Sequence, residues 1–238
     1  RGLGDVYKRQ PNDLMPKLYA PELTKDSCGF GLIANIEGRA SHKLVRNAIT
    51  GLARMQHRGA ILADGKTGDG CGISLQMPQQ FFQTISKEMG LPLPEHFAVG
   101  MVFFPQDKQK VTVLKNIIQQ ELEQETLPAI GWREVPINKS VLGDIAASSL
   151  PWIQQIFIAA PPGWKAKDVE RRLFMARRRI EKKINDKDFY ICSLSTQILI
   201  YKGLCMPSDL PLFYLDLADI RLQSAIVLFH QRLSLIHI

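Results

Sequence analysis

The sequence predicts a mixed α+β protein, and three observations predict it. Short apolar runs of strand length alternate with amphipathic stretches of helical period. Between residues 96 and 195 those elements follow the order βαββαβ. The 238 residues are 45% hydrophobic, 22% charged and 8% aromatic, a balance with enough apolar material for a core and no collagen, coiled-coil or disordered signature. No internal repeat is present, and apolar runs such as Ala225-Ile-Val-Leu-Phe229 fall far short of the ~20 residues needed to cross a bilayer. No membrane association is therefore expected.

Each element has a local reason. Residues 1–27 are polar and carry Pro11, Pro16 and Pro21, which predicts an extended leader. Cysteine, glycine and aliphatic residues over 28–36 predict a buried strand closed by Glu37-Gly38. Ser41 is placed to N-cap a helix whose apolar face is Leu44, Val45, Ala48, Ile49, Leu52 and Ala53, with Arg58-Gly59 ending it. The stretch 64–72 holds four glycines in nine residues, too many for a helix, and leads into an alternating strand over 73–77. Strands follow at 99–104, 131–135, 155–160 and 189–194, with helices at 111–125 and 168–184. That order predicts a ferredoxin-like, split-βαβ subdomain inserted over 96–195. Residues 196–202 and 226–229 would return to the first sheet.

The net charge is +7, and residues 164–187 supply +6 of it, with ten Lys/Arg against four Asp/Glu. Val169, Leu173, Ala176, Ile180 and Ile184 recur there at helical spacing, so the segment reads as an amphipathic helix with a basic face. Such a face suits a phosphate backbone, making a nucleic-acid-binding module built on 168–184 one alternative. It equally suits a helix docked on a sheet, and the lack of interleaved aromatic platforms favours that second reading, with no nucleic acid as partner. The cysteines at 28, 71, 192 and 205 form no CxxC pair and no zinc-ligand spacing, so neither a metal site nor a disulfide scaffold is expected. No apolar signal segment opens the chain, which points to the cytoplasm.

Cys28 raises a chemical possibility. A cysteine at the first position of a strand, behind a dispensable leader, becomes a nucleophile with its own base if the Ser27–Cys28 bond is cut. The freed α-amine, with an ordinary pKa near about 7.7 to 8, can then take the thiol proton. A buried structural cysteine is the competing reading, and residue pattern alone leaves the two open.

The surrounding motifs carry a resemblance. Cys28-Gly-Phe-Gly, Arg54-Met-Gln-His-Arg-Gly-Ala60, Lys66-Thr-Gly-Asp-Gly-Cys-Gly72, Asp188-Phe-Tyr-Ile-Cys-Ser-Leu, Tyr201-Lys-Gly-Leu-Cys-Met-Pro207 and His230-Gln-Arg232 together closely resemble the glutaminase domains of bacterial glutamate synthase large subunits. These are class II, N-terminal-nucleophile amidotransferases. Related amidotransferases that make phosphoribosylamine or glucosamine phosphate share the cysteine and the Arg-Gly, leaving another class II amidotransferase as the near alternative. The resemblance implies an αββα N-terminal-nucleophile (Ntn) hydrolase fold, incomplete here. It implies that Cys28 is the catalytic cysteine, released by removal of a propeptide at 15–27, and that Arg232 clamps the α-carboxylate of L-glutamine. Arg58 and Gly59 would lie near the nucleophile, although an Arg-Gly is also what a plain helix C-cap offers. His57 is read as structural, and so is the 66–72 loop, because the phosphate-cradling spacing GxxxxGK[ST] is absent.

The resemblance also sets limits. After Arg232 the family's Phe-Ser-Thr-Asn-Thr and its later Asn-Gly oxyanion segment do not follow. Residues 1–14 and 233–238 read as artefactual flanks, leaving 28–232 as a partial domain that is expected to be inactive by itself. No cofactor is expected in this segment. FMN and a 3Fe-4S iron-sulfur cluster are implied for a synthase domain of the same parent chain, with NADPH and FAD on a small partner subunit.

Overall fold

The computed structural model describes residues 29–231. The expected flank 1–14, the propeptide 15–27, Cys28, Arg232 and the tail 233–238 lie outside the described residues. Strand β1 (Gly29–Ala34) leads through α1 (His42–Arg54) to β2 (Cys71–Gln76) and α2 (Gln79–Glu88). A second run comprises β3 (Phe97–Phe104), α3 (Lys108–Gln124), β4 (Ala129–Glu134), the short α4 (Asp144–Ser148), β5 (Trp152–Ala159), α5 (Ala166–Lys183) and β6 (Tyr190–Ser195). Then come β7 (Ile198–Gly203), the one-turn α6 (Leu210–Phe213) and β8 (Ile226–Gln231).

The strands form two four-stranded sheets, ordered β1-β8-β2-β7 and β4-β5-β3-β6, and every pairing is antiparallel. Alternation explains which residues go where. In the first sheet the register stacks Gly31, Ile33, Val227, Phe229, Ile73, Leu75, Leu199 and Tyr201 on one face. That inner face packs on α1 through Leu44, Val45, Ala48 and Leu52. The Phe229 ring occupies the space that side chains at Gly31 and Gly51 would need, so strand and helix approach closely. On the opposite face Phe30 (74% exposed), Leu32 (57%), Leu228 (45%) and Ile198 (42%) leave an apolar surface uncovered.

The second sheet buries both faces. Phe97, Val99, Met101, Ile153 and Phe157 join the core of the first sheet, while Val102, Phe104, Ile156 and Ile158 pack under α3 and α5. The α5 contacts are the predicted stripe of Val169, Leu173, Ala176 and Ile180, with Ile184 beside it. Part of its charge is paired across to α3. Arg179 donates to Glu121 at 2.7 Å and to Glu125 at 2.6 Å, Arg172 donates to Glu125 at 3.1 Å, and Lys183 pairs with Glu121. Glu121 is wholly buried at the centre of this α3–α5 network, where Arg179 and Lys183 meet its carboxylate.

One local prediction needs correction, and one helix carries no prediction. Helix α1 starts as expected, the Ser41 hydroxyl accepting from Leu44 N–H at 3.2 Å, but ends at Arg54 with Met55 as its cap. Arg58-Gly59 instead closes the 3-10 turn Gln56–Arg58. Helix α2 carries no prediction, although Phe81, Phe82 and Ile85 repeat at helical spacing; Pro78 before it and only ten residues of length weaken the signal.

A buried ion pair ties the two sheets together. Arg133 of β4 grips Asp216 through two bonds of 2.8 and 2.6 Å, and also donates to Gln155 of β5 at 2.7 Å. Tyr201 of β7 donates to the same carboxylate at 2.9 Å. Because removing one member leaves the other charged and buried, Arg133→Met is expected to cost about 3–5 kcal/mol in a denaturant titration. On α5, Arg178→Ala is expected to stay within about 0.5 kcal/mol, since its side chain bonds Glu181 at the exposed surface of the helix. Arg179→Ala is expected to cost about 1–3 kcal/mol in the same measurement, because it strips a buried carboxylate.

Candidate active site

Among the described residues the last pair of the β1–β8 ladder is Gly29↔Gln231, and β8 pairs on its other side through Cys71↔Gln231. Around this end the sequence-predicted residues assemble. A side chain at Gly29 would meet Arg58 Cγ at 3.2 Å and Met55 Sδ at 3.5 Å, so the stem of Arg58 lies directly against β1. Gly59 has φ −106° and is no left-handed cap. Its requirement for glycine is steric instead, because a Cβ there would run into Gln231 Nε2 and lie 2.6 Å from Asp69 Oδ1. His57 is exposed on the turn.

The glycine-rich segment is a small hairpin. Ile61 bridges Gly68, Leu62 N–H donates to Thr67 O at 2.8 Å, and Asp69 N–H returns to Ala60 O at 3.1 Å. Gly65 sits at its tip with φ +67°, a backbone state glycine adopts without strain. The hairpin is anchored by Asp64. One carboxylate oxygen accepts from Thr67 N–H at 2.8 Å and Lys66 N–H at 3.1 Å; the other accepts from the Thr67 hydroxyl at 2.5 Å and from Ile145 N–H of α4 at 3.0 Å. These donors, the Thr67 hydroxyl foremost, hold the Asp64 carboxyl well below the usual carboxylate range. The loop is thus a docked hairpin, and it delivers Asp69 to Gly59 and Gln231.

The other thiols do not compete for nucleophilic work. Cys71, Cys192 and Cys205 are all buried. Burial pushes the Cys192 thiol up to about 12, and a hydrogen bond with Cys205 together with burial raises Cys71 well above the ordinary value. Thiolate, not thiol, is the reactive species, so neither is poised to attack. Among the described residues no group of three His, Cys, Asp or Glu could hold a metal ion, so these residues do not fit an iron-sulfur cluster.

Of the four sequence-predicted site residues, Arg58 and Gly59 are described and lie at this edge; Cys28 and Arg232 adjoin it in sequence. Gln231 and Asp69 were not singled out. A signal existed for Gln231, since alternation from Val227 and Phe229 puts it on the inward face, where a polar residue calls for explanation.

The chain belongs to the class-II glutamine amidotransferases, whose family model matches residues 28–236. It is 39% identical over 226 residues to the glutamate synthase [NADPH] large chain of Bacillus subtilis (strain 168), covering 92% of this chain and 15% of that protein. It is 41% identical over 223 residues to the glutamate synthase [NADPH] large chain of Azospirillum brasilense, covering 91% and 15%. To the ferredoxin-dependent glutamate synthase 2 of Synechocystis sp. (strain ATCC 27184 / PCC 6803 / Kazusa) it is 38% identical over 227 residues, covering 94% and 14%. The chain therefore spans about one seventh of the length of these relatives.

Because the Asp64 carboxyl is depressed, its bonds add stability that is present above the unfolded value of about 3.9 and lost as pH falls below it. Wild type and Asp64→Asn are expected to differ in unfolding temperature at pH 6 and to converge towards pH 2, as followed by circular dichroism.

Proposed function

We propose that this chain is the glutaminase part of a glutamate synthase large subunit and that Cys28, freed by removal of residues 15–27, is its nucleophile. The observation that carries the reading is the pairing of Gly29 with Gln231. The residues bonded to Cys28 and to Arg232 face each other at one sheet end, beside Arg58, Gly59 and Asp69. The α-amine of Cys28 takes the thiol proton, and the thiolate attacks the side-chain carbonyl carbon of L-glutamine. The carbon–nitrogen bond then breaks, ammonia leaves with the proton held by the amine, and a γ-glutamyl thioester remains for water to hydrolyse. Arg232 is the planar bidentate donor for the α-carboxylate, which suits arginine better than lysine. Arg58 and Gly59 form the wall beside the nucleophile.

The finer fold belongs to the same reading. The order β4-β5-β3-β6 with α3 and α5 on one face supports a ferredoxin-like insertion over 96–195. The uncovered apolar face of the first sheet supports an αββα sandwich whose second layer comes from elsewhere in the full-length protein. In that protein the released ammonia would serve a synthase domain that aminates 2-oxoglutarate with FMN and an iron-sulfur cluster. NADPH and FAD would reside on a small partner subunit, all in the cytoplasm; no helix of the described residues is long and apolar enough to cross a membrane.

The test is Cys28→Ala in the full-length protein. Glutamine-dependent glutamate formation is expected to disappear while formation from added ammonia persists. Retention of the glutamine-dependent rate would contradict the nucleophile assignment, and loss of both rates would contradict separate sites.

A further inference from the structure

We propose that Asp69 and Gln231 form a positioning pair that fixes the end of the β1–β8 ladder where glutamine is hydrolysed, the carboxylate orienting the carboxamide. The inference rests on the glutaminase reading above and deepens it. Gln231 is fully buried on a face otherwise lined by Val227, Phe229 and Ile73, where an aliphatic side chain would pack at no polar cost. Its Nε2 donates to Asp69 Oδ1 at 3.3 Å, while its Oε1 is buried without a hydrogen-bond partner among the described residues. A buried carboxamide with an unused acceptor weakens a fold, so stability does not account for its presence.

Its place in the ladder gives it leverage. Gln231 is the cross-strand partner of both Gly29 and Cys71, so one residue is flanked by both strands that pair with β8. Asp69 is two residues before Cys71 and is held by its own N–H on Ala60 O. Gly59 lacks the Cβ that would block the meeting of carboxylate and carboxamide. The pair therefore fixes the backbone from which Cys28 and Arg232 extend, acting through Gly29 and Gln231 rather than by touching the substrate. A displacement of about 1 Å between reacting groups can cost about 100-fold in rate, so small shifts here should register in turnover.

The experiment uses the full-length protein and the variants Asp69→Asn, Gln231→Glu, Gln231→Met and the double variant Asp69→Asn/Gln231→Glu. In the double variant a carboxamide again donates to a carboxylate, with the two ends exchanged. Each single variant is expected to lower the glutamine-dependent kcat by about 10- to 100-fold, with KM for glutamine within about threefold and the ammonia-driven rate unchanged. Gln231→Met, which removes the unpartnered acceptor, is expected to keep or raise the unfolding temperature while losing the same kcat. The double variant is expected to recover kcat to within about threefold of wild type, the coupling that a direct pair produces. The inference is overturned by single variants that keep kcat within twofold or by a double variant no better than the worse single. It is equally overturned by losses that track a lower unfolding temperature or a lower ammonia-driven rate. If Cys28→Ala still hydrolyses glutamine, the underlying glutaminase reading fails first and the inference falls with it.

Discussion

The pairing of Arg133 with Asp216 is the constraint on which the rest of the architecture depends. Taking two charges out of water is costly, and only close, fully hydrogen-bonded geometry offsets it. Here burial would push the Arg133 guanidinium down, and the Asp216 carboxylate reverses that and holds it protonated. Tyr201, its hydroxyl raised well above the ordinary value by burial, donates to the carboxylate as a neutral phenol. Gln155 Oε1 accepts a further hydrogen bond from the guanidinium, and the Phe81 ring of α2 lies 5.9 Å from the guanidinium carbon. One ion pair thereby joins β4, β5, β7, α2 and the 3-10 turn Leu215–Ala218, elements of both sheets. Because such a pair tolerates little displacement, it sets how the second sheet lies against the first. Separately, α4 receives the Asp64 hairpin through Ile145 N–H at 3.0 Å.

The candidate site sits where these constraints meet the end of the first sheet. Glycine is needed there for closeness more than for backbone freedom. Gly59 lets a carboxylate and a carboxamide approach, and Gly29 lets the Arg58 stem lie against β1. The Arg-Gly motif thus closes the 3-10 turn Gln56–Arg58, and close packing against Gln231 and Asp69 requires its glycine.

Much of the fold was legible because its signals are local. Strand alternation, the Ser41 cap and the apolar stripe of α5 each depend on residues within about two turns of one another. The order of strands and helices over 96–195 followed from the same local periods. What escaped was short or non-local. Helix α2 begins after a proline and runs for ten residues, and α4 and α6 are shorter still. The Arg133–Asp216 bond joins residues 83 apart, and the Arg179–Glu121 bond joins residues 58 apart, so no window of sequence displays them. Part of the pairing of the basic stripe is non-local, because Glu121 and Glu125, which meet Arg172, Arg179 and Lys183, lie on and just after α3. At the site, Arg58 and Gly59 were legible as a motif. Asp69 was hidden in a loop whose hairpin geometry only pairing reveals, and Gln231 was overlooked beside the more conspicuous Arg232.

The proposed chemistry rests on an amino-terminal Cys28, the residue before Gly29 of β1. Intact-mass and N-terminal sequence analysis of the mature full-length protein, isolated with glutamine-hydrolysing activity, tests this most directly. The mature chain is expected to begin at Cys28 with a free α-amine. An active chain that retained residues 15–27 would contradict the claim, because the base proposed for the thiol would still be locked in a peptide bond.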